Sequence, residues 1–100
     1  MQLYVIRRPS GWGTPEELQA AAARSLHVGD NEMPSDIRWI RSYVVQEADG
    51  SLGTVCIYQA SSPEKVREHA GRVGIPATEV LEVVDTVIVR PDPQPAAAEA

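Results

Sequence analysis

The chain has a single cysteine, Cys56, no dense cluster of lysine and arginine, and no apolar run near the roughly 20 residues that cross a bilayer. Each absence removes a class of function. Small exported scaffolds usually need several paired cysteines, so a lone one points to a reducing compartment. The net charge is −5, and two of the negative charges, Asp92 and Glu99, lie at the C-terminal end. An electrostatic grip on phosphate backbones is therefore not expected, and neither nucleic acid nor membrane is anticipated as a partner. The opening Met1-Gln2-Leu3-Tyr4-Val5-Ile6-Arg7-Arg8 puts its basic pair after the apolar stretch, the reverse of a secretory signal. A cytoplasmic protein is expected. There is no repeat of solenoid length, and no Cys-x-x-Cys or His-x-x-x-His spacing to establish a metal motif independently.

What is present suits one domain. With 100 residues, 43% of them hydrophobic, the chain can fill one core but not two. Residues 1–90 are read as a single domain. Residues 91–100 carry three prolines and no large apolar side chain, the composition of a disordered Pro/Ala-rich tail.

The domain is well punctuated. Leu3 to Arg8 reads as a strand stopped by Pro9, with Gly11-Trp12-Gly13 in the following loop. Thr14-Pro15-Glu16-Glu17 has the form of a helix start: a capping threonine, a proline where no N–H is needed, and a glutamate three residues after the cap. Leu18, Ala22 and Leu26 fall four apart and predict its apolar face, with Gly29 as its end. A second strand is expected over 37–46, an Asp49-Gly50 turn, and a third strand over 52–60. Ser62-Pro63-Glu64 starts a second helix through Val66, Ala70 and Val73 to Gly74, where Gly-Ile-Pro makes a C-terminal stop. Val80 to Val89 is valine-rich and predicts strand four. The order βαββαβ is that of the α+β ferredoxin-like fold, a four-stranded antiparallel sheet with two helices on one face.

The second face of such a sheet carries no helix, yet period-2 alternation makes both faces apolar here. Leu3/Val5 oppose Tyr4/Ile6, and Val55/Ile57 oppose Cys56/Tyr58. A large apolar surface is rarely left in water, so a twofold homodimer packed sheet on sheet, barrel-like, is the expected assembly. The side bearing Tyr4, Tyr58 and Cys56 is assigned to the open face, on the view that aliphatic residues fit better beneath alanine-rich helices. Trp39 and Tyr43 share parity in strand two.

Trp39-x-x-Ser42-Tyr43-Val44, then Cys56-x-Tyr58-x-Ala60, then Val66-Arg67-Glu68-His69-Ala70 with Gly74-x-Pro76, and the opening Tyr4-x-x-x-Arg8 with Thr14-Pro15-Glu16-Glu17-Leu18, resemble a family of small bacterial nickel-binding proteins. The likeness covers about residues 1–90. It implies a ferredoxin-like homodimer that can bind nickel, with zinc or copper as alternatives. Members commonly read Glu-Arg where this chain has Arg7-Arg8. If that carboxylate serves the metal, Arg7 puts a cation in its place.

His69 and Cys56 are the candidate metal ligands, a neutral imidazole and a thiolate both suiting late transition metals. The plainer readings are a hydrogen-bonded core histidine and a small core side chain. His27 reads as a cation at a helix C-terminus. Tyr4, Trp39, Tyr43, Tyr58 and Arg8 are candidates for a pocket or dimer face. Such an aromatic pocket could serve an enzyme of cofactor-independent oxidation, isomerisation or cyclisation, or a module that binds a small molecule. No catalytic residue is assigned. Asp85, if buried, would need Arg7 or Arg8 as a partner, which would explain Arg7 without any metal.

Overall fold

The computed structural model describes residues 1–77 and 79–93. Six elements follow one another: β1 (Gln2–Trp12), α1 (Pro15–His27), β2 (Ile37–Gln46), β3 (Leu52–Ala60), α2 (Pro63–Val73) and β4 (Glu79–Glu82). The strands form one antiparallel sheet in the order β2-β3-β1-β4, the ferredoxin-like arrangement expected from the sequence. No helix among the described residues is long and apolar enough to cross a membrane.

Both helices begin as their sequences dictate. The Thr14 hydroxyl accepts from the Glu17 N–H at 3.2 Å, and the Glu17 carboxylate reaches back to the Gly13 N–H at 3.0 Å. Ser62 caps α2 in the same way through the Lys65 N–H. Gly74 ends α2 at φ 82°, where a side chain would be strained, and its N–H and that of Ile75 both close on the Ala70 carbonyl. The end of α1 differs from expectation. Gly29 does not stop it; a π turn over Val28–Glu32 carries it on, with the Met33 N–H bonded to the Val28 carbonyl at 3.0 Å. The buried face of α1 is Ala21 and Ser25, continued by Val28 at the start of the π turn and one step round from the predicted stripe. Leu18 and Ala22 are half-buried and Leu26 is exposed.

Strand parity is the main correction. The side chains that face the helices are Tyr4, Ile6 and Arg8 on β1 and Thr54, Cys56, Tyr58 and Ala60 on β3, all buried. The open face is the aliphatic one: Leu3 and Val5 beside Ile57, Val55 and Leu81. Alanine and serine on the buried side of α1 reach only a short way toward the sheet. The sheet must therefore supply the bulk that fills the gap, and tyrosine and arginine do so.

A bulge at Ile40 also breaks the shared parity assumed within β2. Trp39 pairs with Tyr58 on the helix side, whereas Arg41 pairs with Ile57 and Tyr43 with Val55 on the open side. At the other end of the sheet, β1 runs past Pro9 to Trp12, with an irregularity after Arg8 and Ser10 at φ 52°. Pro9 is tolerated because β4 pairs only with Tyr4–Arg7, leaving that edge of β1 free beyond Arg7.

The fourth strand is shorter than the valine pattern predicts. β4 ends at Glu82, and the Val83 N–H makes one further bond to the Leu3 carbonyl. Val84, Val87, Ile88 and Val89 follow without strand pairing and stand largely exposed, Val84 at 90%. The chain then returns to β2, where the Asp92 carboxylate contacts both Arg41 and Tyr43. Residues 94–100 of the expected tail lie outside the described residues.

Candidate functional site

Between α1 and the β2–β3 side of the sheet lies a cavity of about 520 Å³, within the range of small-molecule sites. Its walls are Trp12, Trp39 and Tyr58 with Leu18, Ala22 and Ile75. The polar residues that border it include Arg8, Gln19, Ser25, Arg41, Ser42 and Thr54, with the Cys56 thiol. The cavity exists because α1 presents alanines here while β2 and β3 offer the short Ser42, Thr54 and Cys56, so neither wall fills the space. Trp39 and Tyr58 stack with centroids 6.1 Å apart and planes 8° from parallel. The Trp39 indole N–H is fixed on the Ser42 hydroxyl at 2.8 Å.

Behind the aromatic wall is a connected polar set. The hydroxyls of Tyr58 and Ser25 are bonded at 2.9 Å, and burial pushes the Tyr58 phenol above its ordinary value. His69 is 1% exposed, its ring tilted against Tyr58 at 5.4 Å, and its Nε2 donates to the Ser25 carbonyl at 3.0 Å. A carbonyl can only accept, so this bond fixes the Nε2–H tautomer. Burial holds the ring's pKa below its ordinary 6.5, with the charge of Arg8 acting in the same direction. The imidazole is thus neutral, and its Nδ1 lone pair is buried with no partner.

Arg8 is the most unusual group. Only 1% exposed, it donates from Nε to the Pro76 carbonyl at 2.6 Å, while Nη2 is buried without an acceptor. Among the described residues no carboxylate pairs with it. The ion pairs present engage Arg7 with Glu79, Arg41 with Asp92, Arg72 with Glu32 and Glu68, and Lys65 with Asp36 and Glu68.

The residues singled out from sequence are distributed as follows. Arg8, Trp39, Cys56 and Tyr58 line the cavity on the helix face, where His69 stands behind them. Tyr4 is buried in the core under the helices and does not line the cavity, and Tyr43 belongs to the open face. Cys56 and His69 share the helix face, the reverse of the parity assigned from sequence, and the Cys56 thiol donates to the Thr54 hydroxyl at 3.4 Å. His27 is exposed near Glu32 at 3.9 Å. Asp85 is exposed and bonds the Thr86 N–H, so it is no partner for either arginine; Arg7 pairs with Glu79 instead, at 3.5 Å. Trp12 and Ser25 were missed. Trp12 is held at the end of β1 by its pairing with Leu52, and Ser25 lies on the same helix face as Ala21, four residues before it, which was the signal available for Ser25.

The depressed His69 pKa has a consequence for stability. The unfolded chain takes up the proton first, so the contribution is fully present above pH 6.5 and is lost as pH falls through the lower folded value. Urea midpoints measured from about pH 7.5 down to about pH 5 should fall, and His69→Gln, which keeps a donor for Ser25 but cannot titrate, should flatten that part of the slope. Parallel pH curves for the two proteins would contradict this assignment.

Comparison with known proteins adds the family. A family model described as nickel responsive protein SCO4226-like matches residues 4–83. The crystal structure of SCO4226 from Streptomyces coelicolor A3(2) superposes with a TM-score of 0.67 at 21% identity, over 85% of this chain and 99% of that one, a likeness that shows the fold. No curated protein matches the chain significantly. With four-fifths of its length covered by one family model and the fold shared, this chain belongs to the nickel responsive SCO4226-like family of small bacterial proteins.

Proposed function

We propose that this chain is a homodimeric small-ligand-binding protein whose binding site is the cavity beneath α1. The observation that carries the reading is the cavity itself: an opening of ligand size, aromatic on its walls, with a few polar groups at its edge. The chain's two tryptophans, Trp12 and Trp39, both line it, so tryptophan fluorescence, excited selectively at wavelengths where tyrosine does not absorb, reports on this site. Titration with a neutral two-ring aromatic such as 2-naphthamide should quench that fluorescence saturably. Ala22→Phe, which puts a ring into the cavity from α1, should weaken the binding at least about tenfold, the loss of well-buried apolar contact area. A linear, non-saturating response, or one indifferent to the substitution, would count against the site. The enzyme reading has less support, because nothing in the cavity pairs an acid with a base.

The assembly rests on surface that water should not keep. Leu81 and Tyr43 on the open face, and Val84, Val87, Ile88 and Val89 in the segment that follows β4, are exposed apolar side chains. A second copy over that surface, barrel-like, would bury them in a closed twofold contact. Light scattering at tens of micromolar should give twice the chain mass, and Val87→Asp, at a position 86% exposed in the single chain, should give the single-chain mass. A wild-type monomer would refute the dimer.

Nickel is a second reading, supported by the family's description and by the unpartnered Nδ1 of His69. Within one chain the donor set does not complete a metal centre. No group of three or more His, Cys, Asp or Glu side chains converges among the described residues, and the Arg8 charge acts on the same imidazole. His69 would be the nitrogen ligand and Cys56 a sulfur ligand if both bound one ion, with the rest from elsewhere. Calorimetric titration with nickel should then show stoichiometric heat that His69→Ala removes at least in part. Absence of heat with nickel, zinc and copper would eliminate the reading.

A further inference from the structure

We infer that the cavity receives a flat aromatic monoanion whose carboxylate takes the free donors of Arg8. The inference rests on the cavity being a ligand site and adds the chemical class of the occupant. A guanidinium keeps its charge at any physiological pH, and it offers five donors in a planar fork. Here one donor, Nε, is spent on the Pro76 carbonyl, Nη2 has no acceptor, and no carboxylate of the described chain neutralises the charge. A buried, unpaired guanidinium is strongly unfavourable unless an anion completes it. Arg41 also borders the cavity, but its side chain belongs to the open face and is held there by Asp92, which leaves Arg8 as the unneutralised guanidinium.

The walls specify the remainder of the ligand. Trp12, Trp39 and Tyr58 line the cavity, and aromatic partners gain from stacked or edge-to-face contact beyond the area they bury. Ser42 and Ser25 hydroxyls are already engaged by Trp39 and Tyr58, so they make no strong demand for a second polar group. One anionic head and one apolar, planar body therefore match the site. Arg8 itself lines the cavity, so the anionic head is placed against that part of the wall.

The test compares two probes of one shape, 2-naphthoate and 2-naphthamide, by tryptophan fluorescence on the full chain. Hydrogen bonds between charged groups are stronger than those to a neutral amide, so wild type should prefer the carboxylate by about tenfold to a hundredfold. Arg8→Met should collapse that preference to near unity, and Arg8→Lys, which keeps the charge without the fork, should retain part of it. Equal affinity for the two probes in wild type would overturn the anion assignment while leaving the cavity as a site. Binding of neither would overturn the cavity reading and this inference together. A preference that survives in Arg8→Met would place the carboxylate on another group and refute the role of Arg8. Should Arg8→Met not fold, the wild-type ratio and Arg8→Lys decide the matter.

Discussion

The structure depends on how little side chain α1 brings to its contact with the sheet. Its inward residues are Ala21 and Ser25, continued by Val28 in the π turn, and α2 adds Val66, His69, Ala70 and Val73. Protein interiors pack to near-crystalline density, so the opposing sheet must fill what the helices leave. It does so with long residues, Tyr4, Ile6, Arg8 and Tyr58, three of which end in a polar atom. Polar ends buried in this way need partners, which the chain supplies in part, leaving Arg8 Nη2 without one among the described residues. The Ser25 hydroxyl therefore meets the Tyr58 phenol, the Ser25 carbonyl meets His69, and the Pro76 carbonyl meets Arg8. Toward β2 the sheet side chains shorten to Ser42, Thr54 and Cys56 as well, and the result is the cavity.

Much of the chain's organisation could be read directly from residue pattern. The caps at Thr14 and Ser62, the Gly74 stop, and the bounds of β2 and β3 all follow from local chemistry that acts within a few residues. Face assignment does not. It requires knowing which side the helices cover, and a strand apolar on both sides reads identically either way. The bulge at Ile40 adds a second obstacle, because one extra residue reverses the facing of everything after it and separates Tyr43 from Trp39. The valine run after Glu82 misled for a related reason. High β-propensity reports suitability for a half-buried surface, not the presence of a strand to pair with.

The charge pattern also shifts weight from one arginine to its neighbour. Arg7, read from sequence as a cation in the place of an anionic ligand, lies on the open face with Glu79 and is half-exposed. Its ion pair is of the surface kind, worth little to stability. Arg8, one residue on and pointing to the opposite face, sets the electrostatics of the interior. Its charge lowers the His69 pKa and acts on Tyr58 as well. A divalent cation beside it would be repelled, whereas an anion would be drawn. The two readings of the site thus differ in the sign of the occupant's charge, and the buried guanidinium favours the negative one.

Assembly and binding meet on β2. The chain leaves β4 at one edge of the sheet and returns to Arg41 and Tyr43 at the other, through Asp92. Strands stand about 4.8 Å apart, and an extended residue covers about 3.4 Å, so the segment from Val83 to Pro91 is longer than the sheet's width requires. It has slack, and within a single chain Val84, Val87, Ile88 and Val89 gain little contact. Each would contribute about 1.5–3 kcal/mol if fully buried by a second copy. Closure over this segment would press on Arg41 and the bulged part of β2, which forms one wall of the cavity. In the proposed dimer, the packing that satisfies the exposed valines would then also fix the position of Trp39 and the width of the opening beside it, so that the site's shape would belong to the dimer and its charge to the single chain.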